Sequence, residues 1–149
     1  MTNRYENFTT LISKIYRSII KLKSVVMEAK GLKSVHVSCL YHLYKSNTSL
    51  NATELSKLCG EDKAAISRTV DYLLKNEYLI YDFMGKKAYR SPITLTEKGK
   101  NVGKFIDEEI ESVISKVSSE IDEQDRQTMY KCLNIILNNL ENESKEHGE

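Results

Sequence analysis

Asn51-Ala52-Thr53-Glu54-Leu55-Ser56, then Glu61-Asp62-Lys63-Ala64-Ala65-Ile66-Ser67-Arg68-Thr69-Val70-Asp71, then Leu95-Thr96-Glu97-Lys98-Gly99 are the segments that decide the fold of this 149-residue chain. The first has capping-box spacing: Asn51 can accept from the amide of residue 54 while Glu54 reaches back to the amide of Asn51. Leu55 and Leu58 follow as a short amphipathic turn, which Gly60, free to adopt the left-handed conformation, brings to a stop. Asp62 then caps a second helix, in which Ile66, Val70, Leu73, Leu74 and Glu77 recur at the 3.6-residue period and define a mostly apolar core face. Two short helices joined through Gly60-Glu61 make a helix-turn-helix.

The opposite side of the second helix carries Ala64, Arg68, Asp71 and Lys75, flanked by Ala65, Ser67 and Tyr72. Small residues let a backbone come close to base edges, Ser67 can donate or accept, Arg68 can reach a guanine or a phosphate, and Lys63 with the first-turn amides suits phosphate oxygens. On its own, such a helix could equally be an ordinary amphipathic helix with a solvated face. Downstream, Tyr78-Leu79-Ile80-Tyr81-Asp82-Phe83 alternates, Met84-Gly85-Lys86-Lys87 is a turn, and Ala88 to Leu95 can return as a second strand. Lys86, Lys87 and Arg90 fall at or near the tip of that hairpin, where a basic group suits a minor groove or the phosphate backbone. Pro92 cannot donate to a ladder, which predicts an edge strand there.

Leu55-Ser56-Lys57-Leu58, Asp62-Lys63-Ala64-Ala65-Ile66-Ser67-Arg68, Val70-Asp71-Tyr72-Leu73 and Leu95-Thr96-Glu97-Lys98-Gly99 stand in the order, and close to the spacing, of the DNA-binding lobe of the MarR family of winged-helix transcriptional regulators, which the chain resembles. The resemblance implies that Lys63, Ala64, Ala65, Ser67 and Arg68 meet double-stranded DNA, with Lys86, Lys87 and Arg90 serving the wing. Two departures stand out. The Asp-Arg pair usual near the family's wing tip is replaced by Gly85-Lys86-Lys87-Ala88-Tyr89-Arg90, and Tyr78 stands where a glycine usually follows the recognition helix.

Outside the lobe the pattern is helical. Phe8, Ile12, Ile15, Ile19, Leu22 and Val26 mark a long first helix over about Tyr5 to Ala29. Ser34 can cap a second carrying Val37, Leu40, Leu43 and Tyr44, and Leu50 begins a short segment of the kind that pairs with a wing. Thr96 can cap a helix with Val102, Phe105, Ile106, Ile110, Val113, Ile114, Val117 and Ile121, weakened at its end by Ser118-Ser119. Asp122 caps a last helix with Met129, Leu133, Ile136, Leu137 and Leu140, and a frayed tail is expected from Glu141 onward. A small lobe cannot cover three long terminal helices, so a partner is expected for them. By resemblance that partner is a second copy, giving a two-fold homodimer matched to a pseudo-palindromic operator; the alternative is a compact monomer with its stripes turned inward.

The charge is polarised: +6 over residues 1–50, +2 over 51–100 and −7 over 101–149, for a net +1. A basic front and an acidic back suit a molecule that presents one side to phosphate. There is no apolar run long enough for a membrane span, and Met1-Thr2-Asn3-Arg4-Tyr5-Glu6 lacks the apolar stretch of a signal peptide, so a cytoplasmic protein without membrane partners is expected. No glycine-rich phosphate loop, nucleophile elbow or metalloprotease motif occurs; neither an enzyme nor a cofactor is expected. His36, Cys39 and His42 lie three apart on the second helix and could chelate a borderline metal, or form a core cysteine with histidines at its margin; the second reading implies no metal site. Cys39, Cys59 and Cys132 show no paired spacing and fall on or beside apolar faces, where a thiol is usually inert. By resemblance, a small aromatic or phenolic ligand can sit between the lobe and the dimer helices, and Tyr16, Arg17, Tyr41 and Tyr44 offer aromatic walls with polar tips there. Tyrosines at helical spacing also serve as ordinary packing residues.

The sequence therefore predicts a mainly α protein with a small β-hairpin wing (α+β). Residues 1–149 form a single MarR-like domain: a winged helix-turn-helix lobe over 34–99, dimerisation helices over 1–30 and 100–143, and a polar tail over 144–149. The function expected is a homodimeric repressor. A winged-helix protein-interaction module, and a redox- or metal-responsive regulator, stay open as alternatives.

Overall fold

Four helix starts are fixed by side chains that the sequence places at caps. The computed structural model describes residues 3–82 and 91–148. In it, Asn51 Oδ1 accepts from the Glu54 amide at 2.9 Å and Glu54 Oε2 from the Asn51 amide at 2.8 Å. Asp62 Oδ1 accepts from the Ala65 amide at 2.7 Å, Thr96 Oγ1 from the Gly99 amide at 3.0 Å, and Asp122 Oδ1 from the Asp125 amide at 2.8 Å. Each satisfies an amide left without a partner in the first helical turn.

The elements in chain order are α1 (Arg4–Met27), a 3₁₀ turn over Glu28–Lys30, α2 (Ser34–Ser46), α3 (Ala52–Cys59), α4 (Lys63–Lys75), β1 (Leu79–Tyr81), β2 (Ile93–Leu95), α5 (Glu97–Val117) and α6 (Glu123–His147). The strands pair antiparallel, with Leu79 opposite Leu95 and Tyr81 opposite Ile93. Leu50 bridges to Ile93 from the far side, Leu50 N–H donating at 3.0 Å and Ile93 N–H donating back at 2.8 Å, so the segment after α2 joins the wing as expected. Pro92 contributes its carbonyl, which accepts from the Asp82 amide.

Residues 1–109 form one compact unit and residues 110–149 another. In the first, α2, α3 and α4 pack on one another, and the core comprises Met27, Leu40, Leu43, Leu55, Ile66, Leu73, Leu79, Ile93 and Ile106, all buried. Fully burying one such aliphatic side chain stabilises by about 1.5–3 kcal/mol. In the second unit the picture is the reverse: α6 has no buried residue, and Met129, Leu133, Leu137 and Leu140 are exposed. Along α1 the expected stripe is likewise uncovered within one chain, with Ile15 55% and Ile19 45% exposed.

Three details differ from expectation. α2 takes Lys33 as its N-cap instead of Ser34, and the amide of Lys33 donates to His36 Nδ1 at 3.0 Å, an imidazole doing what a Glu or Gln usually does at that position. Helix α4 ends at Lys75; Glu77 lies beyond it at φ +61° and is exposed, and the buried face instead includes Thr69. The polar C-terminal segment is helical to His147 instead of fraying from Glu141, held by Ser144 Oγ donating to the Leu140 carbonyl and by Glu143 beside His147.

Candidate nucleic-acid interface

The turn between α3 and α4 is closed at both ends. Gly60 takes φ +65° and donates to the Lys57 carbonyl, and the Ser56 hydroxyl donates to the Glu61 carbonyl at 2.5 Å. Leu55 and Ile66, both fully buried, fasten the two helices to the core. Helix α4 is thus mounted with Ile66, Thr69, Val70 and Leu73 inward and Lys63, Ala64, Ser67 and Arg68 outward in solvent, while Ala65 is half-buried. The exposed residues recur every three to four positions, so they form one strip over the first turn and a half of the helix.

Asp62 occupies the Ala65 amide with its own carboxylate. That amide is therefore already taken, and Lys63 stands exposed at the same end of the helix. A shallow cavity of about 90 Å³ separates α4 from the strands, lined by Ala52, Lys63, Ser67, Val70, Asp71, Tyr81, Ser91 and Ile93. It is well below the size of a drug-like ligand pocket, about 300–1,000 Å³. Lys86, Lys87 and Arg90 lie outside the described residues.

The Leu95-Thr96-Glu97-Lys98-Gly99 segment proves structural. Thr96 Oγ1 donates to the Glu77 carbonyl at 2.6 Å, and the Thr96 amide donates to the Tyr78 carbonyl at 3.1 Å. Lys98 Nζ donates to the Asn76 carbonyl at 2.7 Å while lying 4.2 Å over the Tyr78 ring. A Cβ on Gly99 would stand 2.1 Å from the Tyr78 carbonyl oxygen. The segment locks the end of α4 to the start of α5 through the backbone of residues 76–78, and the ring of Tyr78 is the platform for Lys98.

The four candidate ligand residues are placed as follows. Tyr16 is 57% exposed on α1, and Arg17 Nε donates to the Ser13 carbonyl of its own helix at 3.3 Å. Tyr41 is half-buried with its ring edge-on to His42, and Tyr44 is half-buried against α5, where a Cβ on Gly103 would meet its Cβ at 2.8 Å. Tyr44 thus has a packing role.

The His36, Cys39, His42 triplet is divided among other partners. His36 stacks on Tyr72 with ring centroids 4.3 Å apart, and burial, with the Lys33 charge second, holds its pKa below the ordinary 6.5. His42 is lowered as well, by burial and then Lys23. Cys39 contacts Cys59 across helices α2 and α3, with the sulfurs 3.8 Å apart. Their separation of twenty residues in the sequence carried no sign of that pair.

An antiparallel hairpin after a helix-turn-helix defines a winged helix. No family profile matches the chain, and no curated protein matches it. Among solved structures it is similar to NMB1585, a MarR family regulator from Neisseria meningitidis, at TM-score 0.84 and 16% identity over 98% of this chain and 99% of that one. It is similar to the transcriptional regulator PA3341 at TM-score 0.80 and 25% identity over 91% and 98% of the two chains. It is also similar to S. aureus MepR, solved in complex with DNA, at TM-score 0.79 and 15% identity over 93% and 99%. The fold is the MarR winged helix-turn-helix.

Proposed function

We propose that this chain is a sequence-specific double-stranded DNA-binding regulator, a homodimer acting as a repressor on a pseudo-palindromic operator. The observation that carries this reading is the outward strip of Lys63, Ala64, Ser67 and Arg68 on an α4 whose other face is wholly committed to the core. Arg68 and Ser67 read base edges, Ala64 and Ala65 admit the backbone, Lys63 holds phosphate, and Lys86, Lys87 and Arg90 serve the wing. MepR, of the same fold, was solved with DNA, which supports the reading. Repression is favoured because occluding a promoter needs no further contact surface.

The exposed apolar residues of α1, of α5 beyond Ile110 and of α6 support a second copy as their cover, since monomers rarely leave such stripes in water. Residues 1–30 and 100–143 are then the dimerisation helices around the 34–99 lobe. A small aromatic ligand on Tyr16, Arg17 and Tyr41 is compatible with this arrangement and would act by shifting the spacing of the two α4 helices. Among the described residues, no helix is long and apolar enough to cross a membrane, in keeping with a cytoplasmic regulator.

The test is selection from a random duplex library at moderate salt with the wild type and an Arg68→Ala, Lys87→Ala double variant. An inverted repeat enriched by the wild type alone is expected. Enrichment of nothing at any salt would overturn DNA reading in favour of a protein-interaction module.

A further inference from the structure

Tyr72 ties α4 to the linker between α1 and α2. Its hydroxyl donates to the Gly31 carbonyl at 3.3 Å, and its ring lies on that of His36 with centroids 4.3 Å apart and planes within 1° of parallel. Gly31 turns the chain at φ +68°, and its amide donates to the Glu28 carbonyl at 2.9 Å, so this corner of the linker is bonded through both its amide and its carbonyl. Tyr72 stands four residues, about one helical turn, beyond Arg68, which places the linker against the flank of the helix that carries the exposed strip. Charge is concentrated at the same place: residues 21–33 hold four lysines and a single acidic residue, Glu28. Lys30 precedes Gly31 and Lys33 follows Leu32; both are exposed, and among the described residues no carboxylate pairs with either ammonium. Lys33 also shares a hollow with Lys21 and Ser24, with Glu28 in its wall. On α4 itself Lys75, three residues after Tyr72, is exposed and extends the basic edge.

We propose that the α1–α2 linker is a second phosphate contact of the DNA reader, with Lys30 and Lys33 holding the sugar-phosphate ridge that borders the major groove occupied by α4. The inference rests on the DNA-reading function proposed above and adds a surface to it. A helix with its side chains is about 10–12 Å across and the major groove about 12 Å wide, so the helix fills the groove and a segment bonded to its flank faces a bordering backbone. Gly31, held by Tyr72, is such a segment, and its neighbouring lysines supply the charge that a phosphate ridge attracts. The ammonium of lysine is a point charge on a flexible stem, which suits a phosphate oxygen and reads no base. Contacts of this kind fix the register and orientation of a protein on its duplex. The Tyr72 hydroxyl on Gly31 and the Tyr72 ring on His36 couple the linker to α4, so a grip on phosphate at Lys30 and Lys33 sets the angle at which Ser67 and Arg68 meet the bases.

The experiment compares the full-length wild type with a Lys30→Gln, Lys33→Gln variant on the selected operator over a salt series, then on operators carrying one uncharged methylphosphonate at each backbone position in turn. A Lys100→Gln, Lys104→Gln variant, which removes the same charge from α5, is the control. The linker variant is expected to bind at least about tenfold more weakly at low salt while enriching the same sequence. Two lysines in each of two protomers should lower the salt slope by about 3–4. Methylphosphonates at the phosphates bordering each half-site should weaken the wild type and leave the linker variant indifferent. An unchanged slope and methylphosphonate profile would overturn the linker contact while DNA reading stands, as would an equal loss in the control, which would assign the effect to net charge. A changed molar mass of the linker variant in solution would make the patch a contact between copies and overturn the proposal too. Failure of the wild type to bind any duplex would instead overturn DNA reading itself.

Discussion

The Ser56 hydroxyl donates to the Glu61 carbonyl at 2.5 Å, and the Glu61 amide donates back to the Ser56 carbonyl at 3.2 Å, closing the α3–α4 turn into a ring of two hydrogen bonds. Alanine at 56 leaves the Glu61 carbonyl without its side-chain donor in a half-buried turn. Ser56→Ala is expected to lose about 1 kcal/mol, seen as a lower urea midpoint at unchanged slope. An unchanged midpoint would show that the backbone bond alone holds the turn.

Glycines at 60 and 99 look alike in the sequence but are held for different reasons. A side chain on Gly60 meets nothing within 4 Å, and only its φ of +65° resists, so Gly60→Ala should cost about 1–2 kcal/mol. A side chain on Gly99 runs into the Tyr78 carbonyl oxygen at 2.1 Å, which is backbone and cannot swing aside. Gly99→Ala should therefore lose more than about 3 kcal/mol, as overpacking against a fixed partner does. Equal losses in thermal unfolding would refute the distinction.

These contrasts mark what the sequence could tell. Caps at Asn51, Asp62, Thr96 and Asp122 are local, set by a side chain and an amide three residues on, and all four appear as read. The faces of α4 follow from the helical period and appear as read too, apart from Glu77, which lies past the helix end, Thr69, whose hydroxyl disguised a buried position, and Tyr72, read with the outward side but half-buried and stacked on His36. What the sequence concealed depends on contact between distant elements. Cys39 meets Cys59 only because α2 packs on α3, and the Leu95 to Gly99 segment shows its packing role only against the carbonyls of residues 76–78.

Glu77 bears a conformational strain that a single change can remove. It sits at φ +61°, a region that costs a residue with a Cβ about 1–2 kcal/mol, and its side chain is exposed. Glu77→Gly removes that cost and gives back part of it as unfolded-state entropy. A net gain of about 0.5–1 kcal/mol is expected in denaturant melts; a loss would mean that the carboxylate has a role of its own.

His36 makes stability depend on pH with a definite sign. Its pKa in the fold is depressed by burial and then by Lys33, so the unfolded chain binds a proton more readily. Stability from this group is present above the ordinary value of 6.5 and declines as pH falls below it. His42, lowered for similar reasons, adds in the same direction. His36→Gln can still accept the Lys33 amide but does not titrate, so its melting temperature should fall less steeply between about pH 6.5 and 5 than that of the wild type. Parallel curves would assign the dependence elsewhere.

Arg68 and Lys63 lie on the same exposed strip but should fail differently. Arg68 projects from the second turn of α4 between Ala64 and Lys75, with a planar fork that fits a guanine edge; Lys63 is at the helix start, a point charge suited to phosphate. On the selected operator, Arg68→Ala should cost about 1–3 kcal/mol and relax preference at one base position per half-site. Lys63→Ala should weaken operator and random duplex alike and reduce the salt slope by about 1 for each phosphate that Lys63 neutralises. Measuring both variants on both duplexes over a salt series separates the roles: equal losses for Arg68→Ala on operator and random DNA would move that residue from base reading to the backbone.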